Sequence, residues 1–300
     1  MRLPLQPRSV SVRTHERSAR ARPFLKWAGG KGQLLEQYQR YFALLPRTTY
    51  HEPFLGGGAV YFHLRPARAV LSDLNRELIV CYQVVRDSPG QLIAELRQHL
   101  NDRRYFYETR ALDPERLDPV RRASRTIYLN KTCFNGLYRV NSRGRFNVPF
   151  GRYNRPLICD EQNIRAASRW LKDATLEVAP FESVLERATR GDFIYLDPPY
   201  QPLSSTASFT AYTPGAFREE DQVRLAEVVR ELDRRKCRVM LSNSNSPLVR
   251  RLYKGLRQIR VAATRSINSV ASRRGRISEL LILNYAVPGP RPYSPFQTNS

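Results

Sequence analysis

This chain of 300 residues is short of acid, of lysine and of cysteine, and each shortage excludes something. The four cysteines (Cys81, Cys133, Cys159 and Cys237) lie far apart, and the four histidines show no ligand spacing. That argues against a disulfide framework and against a zinc site, so no metal is expected and a reducing cytoplasm is the expected compartment. No apolar run approaches the length of a membrane span, so no membrane partner is expected. Only 27 acids stand against 50 basic residues, a formal net charge of +23, and just six of the 50 are lysine. Arginine's planar fork matches phosphates and guanine edges, so the balance favours nucleic acid as partner. An arginine-rich genome biases composition in the same way, which makes distribution the stronger signal. The 41 positions between Asp118 and Asp160 hold nine basic residues and no acid; the 45 between Asp233 and Glu279 hold thirteen and none. A solvated surface mixes signs, so two such stretches read as two walls of a groove for a polyanion.

Residues 1–22 carry six arginines and one acid, Glu16, without the hydrophobic core of a secretory signal. They read as a disordered basic arm; a mis-assigned start and a transit peptide are the other readings. The last stretch, 287–300, holds four prolines and reads as a loose tail.

What lies between reads as α/β. Strands are expected at 49–53, 69–73, 176–181, 193–197, 238–242 and 279–285, with helices at 59–63, 74–85 and 219–235. Residues 92–130 have helical spacing, with Leu92, Ile93, Leu96 and Leu100 on one face, whereas 131–155 break every periodicity. No internal repeat is visible. The simplest organisation is a Rossmann-like mixed-sheet domain from 23–74 and 166–286, interrupted by a mostly helical insert at 75–165.

The most informative residues are Asp197-Pro198-Pro199-Tyr200, which follow the apolar run Phe193-Ile194-Tyr195-Leu196. Two consecutive prolines have no N–H to continue a ladder, and the first holds the residue before it extended. A carboxylate, a backbone carbonyl and an aromatic ring are thereby presented together past a strand's C-terminal end, where open α/β sheets bind ligands. Such a cluster suits stacking a flat ring while accepting hydrogen bonds from its amine, which points to methylation of a nucleobase amine. The plain alternative is a turn with a core-capping tyrosine.

Upstream, Gly56-Gly57-Gly58 joins an expected strand to an expected helix, and Asp73 ends the next strand. A glycine loop at a helix N-terminus brings bare N–H groups to a ligand, and a carboxylate at the second strand end accepts from ribose hydroxyls. The triplet lacks the third spaced glycine of a dinucleotide fingerprint and the Gly-Lys-Ser/Thr of a phosphate loop. A nucleoside ligand without a pyrophosphate fits, and S-adenosylmethionine is one. Nearer the start, Trp27 offers a flat face, Gly29-Gly30 allow close backbone approach, and Lys31 is placed to neutralise a carboxylate. On its own that segment is equally an ordinary turn with a surface tryptophan.

With these residues together, the chain resembles the Dam-type DNA adenine-N6 methyltransferases of the α arrangement. The matching segments are FLKWAGGK (24–31), EPFLGGG (52–58), SDLN (72–75), FNGLYRVNSRGRFNVPFGRY (134–153), LDPPYQPLSSTASFTAY (196–212), RSINS (265–269) and ELLILNY (279–285). The resemblance spans about residues 24 to 285. It implies that Trp27, Lys31, Phe54, Gly56, Gly58, Asp73 and Asp197 bind S-adenosylmethionine or line its pocket. It also implies that Asp197, Pro198 and Tyr200 hold a flipped target adenine. The 134–153 segment resembles the family's recognition hairpin for the duplex site GATC. Arg139 matches the guanine-reading arginine, Leu137 and Pro149 stand near the thymine methyl, and Lys26 and Tyr153 match further base contacts. Phe134 and Asn135 fall where relatives push side chains into the stack. Arginine on guanine and apolar contact with the thymine methyl are the expected major-groove chemistry. Arg143, Arg145, Arg152, Arg273, Arg274 and Arg276 suit phosphates.

The chain departs from the pattern at 1–22, at 97–125, at Phe134, which lacks a hydroxyl found in relatives, and around Ser183, where the cofactor pocket is left unassigned. The implied enzyme acts on double-stranded DNA, in the cytoplasm at the nucleoid or encoded by a phage; a monomer is expected, since an enzyme flipping a base in a short palindrome need modify only one strand per visit. Cytosine C5 chemistry needs a nucleophilic cysteine, and none of the four follows a proline as that family requires. N4-cytosine methylation is chemically close. A DNA-binding protein without catalysis, and methylation of RNA or a protein amide, are the further rivals.

Overall fold

Seven strands form one mixed sheet in a computed structural model of the chain, which describes residues 20–200, 217–264 and 276–287. They are β1 (Tyr50–Glu52), β2 (Ala69–Asp73), β3 (Ala174–Val178), β4 (Phe193–Leu196), β5 (Arg238–Ser244), β6 (Arg257–Thr264) and β7 (Arg276–Leu283). Their spatial order is β3-β2-β1-β4-β5-β7-β6. The pairings among β1 to β5 are parallel, and β7 lies antiparallel between β5 and β6. Strand order reverses between β1 and β4, since β1 leads to β2 on one side and β4 to β5 on the other. A crevice opens at such a switch point, outside the C-terminal strand ends.

Strand β4 shows why the sheet holds together. All four of its residues are buried, with Phe193 and Tyr195 in one hydrophobic cluster and Ile194 and Leu196 in another. A central parallel strand covered on both faces carries a continuous apolar run of this kind. The first cluster is covered by α3 (Arg76–Asp87) and α7 (Glu161–Leu171), which contribute Leu78, Ile79, Val85, Ile164 and Leu171. The second is covered by α9 (Glu219–Arg234) and α10 (Pro247–Leu252), through Leu225, Val228, Val229, Leu232 and Val249. Two short helices, α1 (Leu35–Tyr38) and α2 (Ala59–Leu64), flank β1, and α8 (Val184–Arg187) precedes β4.

The expected helical stretch of 92–130 divides into α4 (Pro89–Leu96), α5 (Arg103–Ala111) and α6 (Pro119–Thr132). Asp102 accepts from the Tyr105 N–H and Asp118 from those of Val120 and Arg121, so both breaks carry an acidic N-cap. These elements have their own small core of Phe106, Tyr128, Leu129, Cys133, Tyr138, Phe146 and Val148. They are tied to the sheet domain by a largely buried Arg122, whose guanidinium bonds Glu77 of α3 and Glu115, while the Thr126 hydroxyl donates to Glu77. Helix α3, inside the 75–165 segment, packs on β2 and β3 as well as on α4, α6 and α7, so the segment shares the sheet's core at its start.

Several expected bounds shift. Residues 20–22, read above as part of the arm, pack against α7: Ala21 is buried, and the Arg22 backbone exchanges hydrogen bonds with Asn163. Strand β3 begins at Ala174, two residues before the expected 176, and β7 starts at Arg276. Strand β6 was not expected. It is an edge strand whose inward alternation rests on Ile259 and Val261 alone, and its ladder with β7 supplies the rest. Residues 1–19, 201–216, 265–275 and 288–300 lie outside the described residues, which removes RSINS, Arg273, Arg274, most of LDPPYQPLSSTASFTAY and nearly all of the tail from view. Among the described residues no helix is long and apolar enough to cross a membrane, and no cluster of His, Cys, Asp and Glu could hold a metal ion.

Candidate active site

Three acids stand at the C-terminal ends of adjacent strands: Glu52 on β1, Asp73 on β2 and Asp197 just after β4. Asp197 is the best connected. Its Oδ1 is 2.9 Å from Lys31 Nζ and accepts from the Ser242 hydroxyl at 2.8 Å. Because the serine gives its only proton to the carboxylate, the Tyr195 hydroxyl, 3.1 Å away, must donate to Ser242 Oγ. Oδ2 carries neither of these bonds and is the oxygen left for an incoming amine. Lys31 is buried, donates to the Gly29 carbonyl at 2.8 Å, and stands 4.8 Å from the centre of the Tyr200 ring. The lysine expected to neutralise a ligand carboxylate thus sits on Asp197.

The two prolines place the rest. Gln222, fully buried in α9, donates to the Pro199 carbonyl at 3.4 Å and is itself held by Asn243 of β5. The Tyr200 hydroxyl donates to Glu279 Oε2 of β7 at 2.7 Å. Burial pushes the Tyr200 phenol well above its ordinary range, and Asp197 and Glu279 push it further, so it stays a donor. Burial also raises the Glu52 carboxyl, which accepts from the Tyr50 hydroxyl at 2.8 Å.

The glycine loop is tied directly to β2. Asp73 Oδ2 accepts from the Gly56 N–H at 3.0 Å, and Oδ1 accepts from the Asn75 N–H at 2.9 Å. Burial raises the Asp73 carboxyl and those two N–H groups oppose the rise. Gly56 has φ +49°, and a Cβ there would fall 2.9 Å from Cδ1 of Trp27. The loop therefore closes against the indole, whose face stacks on Tyr138 with centroids 5.1 Å apart. Phe54 is stacked on Phe181 at 5.4 Å and meets Phe217 edge-on at 5.9 Å. Gly58, at φ +65°, is the N-cap of α2.

These features answer whether the chain is chemically suited to S-adenosylmethionine. A carboxylate with lone pairs to spare at a strand end, a bare-backbone loop held by it, and an apolar aromatic cluster at Phe54 match a diol, a backbone-approached sugar and an adenine.

Residues 134–153 form a hairpin. Val140 bridges Phe146, Cys133 bridges Phe150, and a turn closes with the Gly144 N–H on the Asn141 carbonyl at 2.9 Å. Arg143 and Arg145 are exposed at that turn, where Asn141 Oδ1 accepts from both backbone N–H groups. Arg139 is half-buried, with Nε donating to Asn147 Oδ1 across the hairpin at 2.7 Å. Phe134 is 52% exposed, Asn135 holds φ +56°, and the Phe134 N–H donates to the Pro149 carbonyl at 2.8 Å. Leu137 is half-buried, while Arg152 is exposed at φ +54°. Lys26 Nζ lies 4.8 Å over the Tyr153 ring. The fold thus joins Lys26 to Tyr153 and Phe134 to Pro149.

Four residues of this site escaped the sequence reading: Asn130, Tyr138, Ser242 and Glu279. Asn130 is fully buried and clamps two segments. It accepts from the Lys26 N–H at 2.8 Å and donates to the Lys26 and Gly136 carbonyls at 2.9 and 3.0 Å. Gly136 has φ +61°, and a Cβ there would collide with Lys26 Cδ at 2.2 Å. The only signal in the sequence was a lone amide directly after the apolar run Ile127-Tyr128-Leu129. Asn130→Ala strips three backbone groups, one of them buried and two part-buried, of their partner and is expected to cost about 2–4 kcal/mol of stability. Urea unfolding measures this; a loss under 1 kcal/mol (about one ordinary hydrogen bond) would show that water replaces the clamp.

A sheet of this order, with acids closing β1, β2 and β4 and two prolines ending β4, defines a Rossmann-like α/β methyltransferase fold. A family model described as D12 class N6 adenine-specific DNA methyltransferase matches residues 27–267. The chain is similar to the Type II methyltransferase M1.LlaDCHI of Lactococcus lactis subsp. cremoris, at 44% identity over 88% of this chain and 95% of that one. It is 42% identical to the Type II methyltransferase M.MjaIII of Methanocaldococcus jannaschii, over 88% of this chain and 99% of the relative. With the DNA adenine methylase of Escherichia coli K12 it shares 37% identity over 87% and 95%. The chain belongs to the D12 class of N6 adenine-specific DNA methyltransferases, and is an enzyme of that type acting on DNA.

Proposed function

We propose that this enzyme transfers a methyl group from S-adenosylmethionine to N6 of an adenine flipped out of double-stranded DNA, within GATC. The observation that carries the reading is Asp197: Lys31 and Ser242 hold one of its oxygens, and the other is left for an amine beside Tyr200. When bound, the cofactor supplies an electrophilic methyl carbon on a sulfonium. The chain's part is to orient the acceptor. Asp197 and the Pro198 carbonyl accept from the N6 amine, which turns its lone pair out of conjugation, while Tyr200 takes the ring by stacking. Held in this way, N6 would present its lone pair toward that methyl carbon, and the N6 proton would leave after transfer. Asp197, paired with Lys31, needs only to orient the amine and need not be a strong base, so most of the rate comes from positioning and exclusion of water.

Trp27, Phe54, Gly56, Gly58 and Asp73 line the cofactor pocket in this reading, with Lys31 and Asp197 at its inner end. The segment 75–165 presents the hairpin to the major groove. Arg139 reads guanine there, Leu137 and Pro149 face the thymine methyl, and Lys26 and Tyr153 add contacts. Phe134 and Asn135 enter the stack. The exposed arginines Arg143, Arg145 and Arg152 take phosphates. The enzyme works as a monomer at DNA in the cytoplasm. The names of relatives, DNA adenine methylase among them, support the acceptor base.

Purified protein with methyl-labelled S-adenosylmethionine and two unmethylated duplexes, differing only in GATC, tests the whole reading after digestion to nucleosides. N6-methyladenine confined to the GATC duplex is the expected result. Label in both duplexes keeps the chemistry and sinks the site; label in neither overturns the function.

A further inference from the structure

Strand β7 begins its apolar run with an acid. Glu279 is 9% exposed and lies in register between Ser244 of β5 and Val261 of β6. It shares a strand face with Leu281 and Leu283, both fully buried in the sheet's first core cluster. Burial raises its carboxyl above the ordinary range, and Lys31 and the Tyr200 hydroxyl pull it back. A carboxylate stripped of water in this way costs stability unless partners satisfy it, and a leucine would serve the sheet better. One of its partners belongs to the site: the Tyr200 hydroxyl donates to Oε2 at 2.7 Å, while the phenol of buried Tyr38 is a second group acting on the carboxyl.

That bond fixes the far end of a ring whose near end follows two prolines. Lys31 stands over the same ring at 4.8 Å and also holds Asp197. The stacking surface and the amine-accepting carboxylate are thus held in one arrangement by two side chains from different elements, Glu279 and Lys31. A stacked acceptor needs the ring's plane defined, because small misplacements of a reacting group are expensive in rate. A ring anchored only at Cβ turns about two side-chain torsions, and the second of these is broad.

We propose that Glu279 is a positioning residue for methyl transfer: through the Tyr200 hydroxyl it sets the plane on which the acceptor base stacks. The role rests on the adenine-methylating reading above, and it requires an oxygen acceptor rather than a charge. Glu279 acts in this role through Tyr200 alone.

Three variants of the full chain, with a GATC duplex and saturating S-adenosylmethionine, test this. Glu279→Leu is expected to lower kcat roughly tenfold to a hundredfold, the range a lost hydrogen bond to a charged group sets, while duplex affinity stays within about twofold. Glu279→Gln keeps an acceptor and is expected to restore kcat to within about threefold of wild type, a fraction of one hydrogen bond. Tyr200→Phe removes the donor and is expected to match Glu279→Leu, and the double variant to fall no further than the worse single one. A duplex with 2-aminopurine at the acceptor position is expected to change its bound fluorescence in Glu279→Leu and to keep the wild-type signal in Glu279→Gln.

Equal loss in the glutamine and leucine variants overturns the proposal, since charge would then be what matters. Multiplicative losses in the double variant overturn it too, because Glu279 would act elsewhere. If Glu279→Leu does not fold, Tyr200→Phe alone decides: wild-type kcat without the hydroxyl refutes the role. A wild-type protein that places no methyl on adenine defeats the underlying reading instead, and is seen before any variant is made.

Discussion

Asp197→Ala is expected to lower methyl transfer by about a thousandfold or more, the scale set by deleting one preorganised polar group at a reacting centre. The variant removes the proposed amine acceptor and the anchor of Lys31 together. Lys31 is 4% exposed, so it would be left as a buried ammonium without its carboxylate, a change that costs about 3–5 kcal/mol when one partner of a buried pair is deleted. Lost activity in the alanine variant therefore mixes chemistry with stability, and Asp197→Asn separates the two. Asparagine keeps an oxygen for Ser242 and Lys31 but offers an amide in place of the second oxygen. It is expected to fold, to bind S-adenosylmethionine and to transfer methyl at least about a hundredfold more slowly, as loss of a single catalytic hydrogen bond does. Label incorporation under single-turnover conditions, read beside urea unfolding, gives both numbers. Turnover near wild type in Asp197→Asn would falsify the assigned role.

Arg139→Ala is expected to relax discrimination at one guanine by about 1–3 kcal/mol, the worth of one good bidentate base contact. The geometry sharpens this. Asn147 takes the Nε proton of Arg139 across the hairpin, which sets the plane of the guanidinium and leaves other donors for a base edge. Asn147→Ala is accordingly expected to reproduce part of the loss without removing any charge. Transfer rates on GATC and on duplexes with each base pair replaced in turn measure both. Should cognate and altered sites weaken alike in Arg139→Ala, the arginine grips phosphate and sequence is read elsewhere.

Much of the fold was legible because its signals are local. An all-apolar β4 and the loop Gly56-Gly57-Gly58 act within a few residues of themselves, whereas the N-capping acids Asp102 and Asp118, equally local, were passed over inside one expected helical stretch. Strand β6 was hidden because an edge strand buries one face only, and two residues cannot establish a period of two. The end of the basic arm was misplaced for a related reason. What orders residues 20–22 is Asn163 on α7, 141 positions away from Arg22.

The site divides along the same line. The sequence by itself determined which groups stand at each strand end, because prolines without N–H groups, glycines without Cβ and acids after apolar runs constrain the backbone where they stand. Only the tertiary structure decided which groups work on one another. Lys31 on Asp197, Tyr200 on Glu279 and Asn130 between Lys26 and Gly136 are pairings made by strand order and helix packing. Tyr200 lies 79 positions from Glu279, and Lys26 104 from Asn130. A buried amide or carboxylate shows its need for a partner in the sequence, but the partner is whichever group the closed sheet sets within about 3 Å of it, the distance at which hydrogen bonds form.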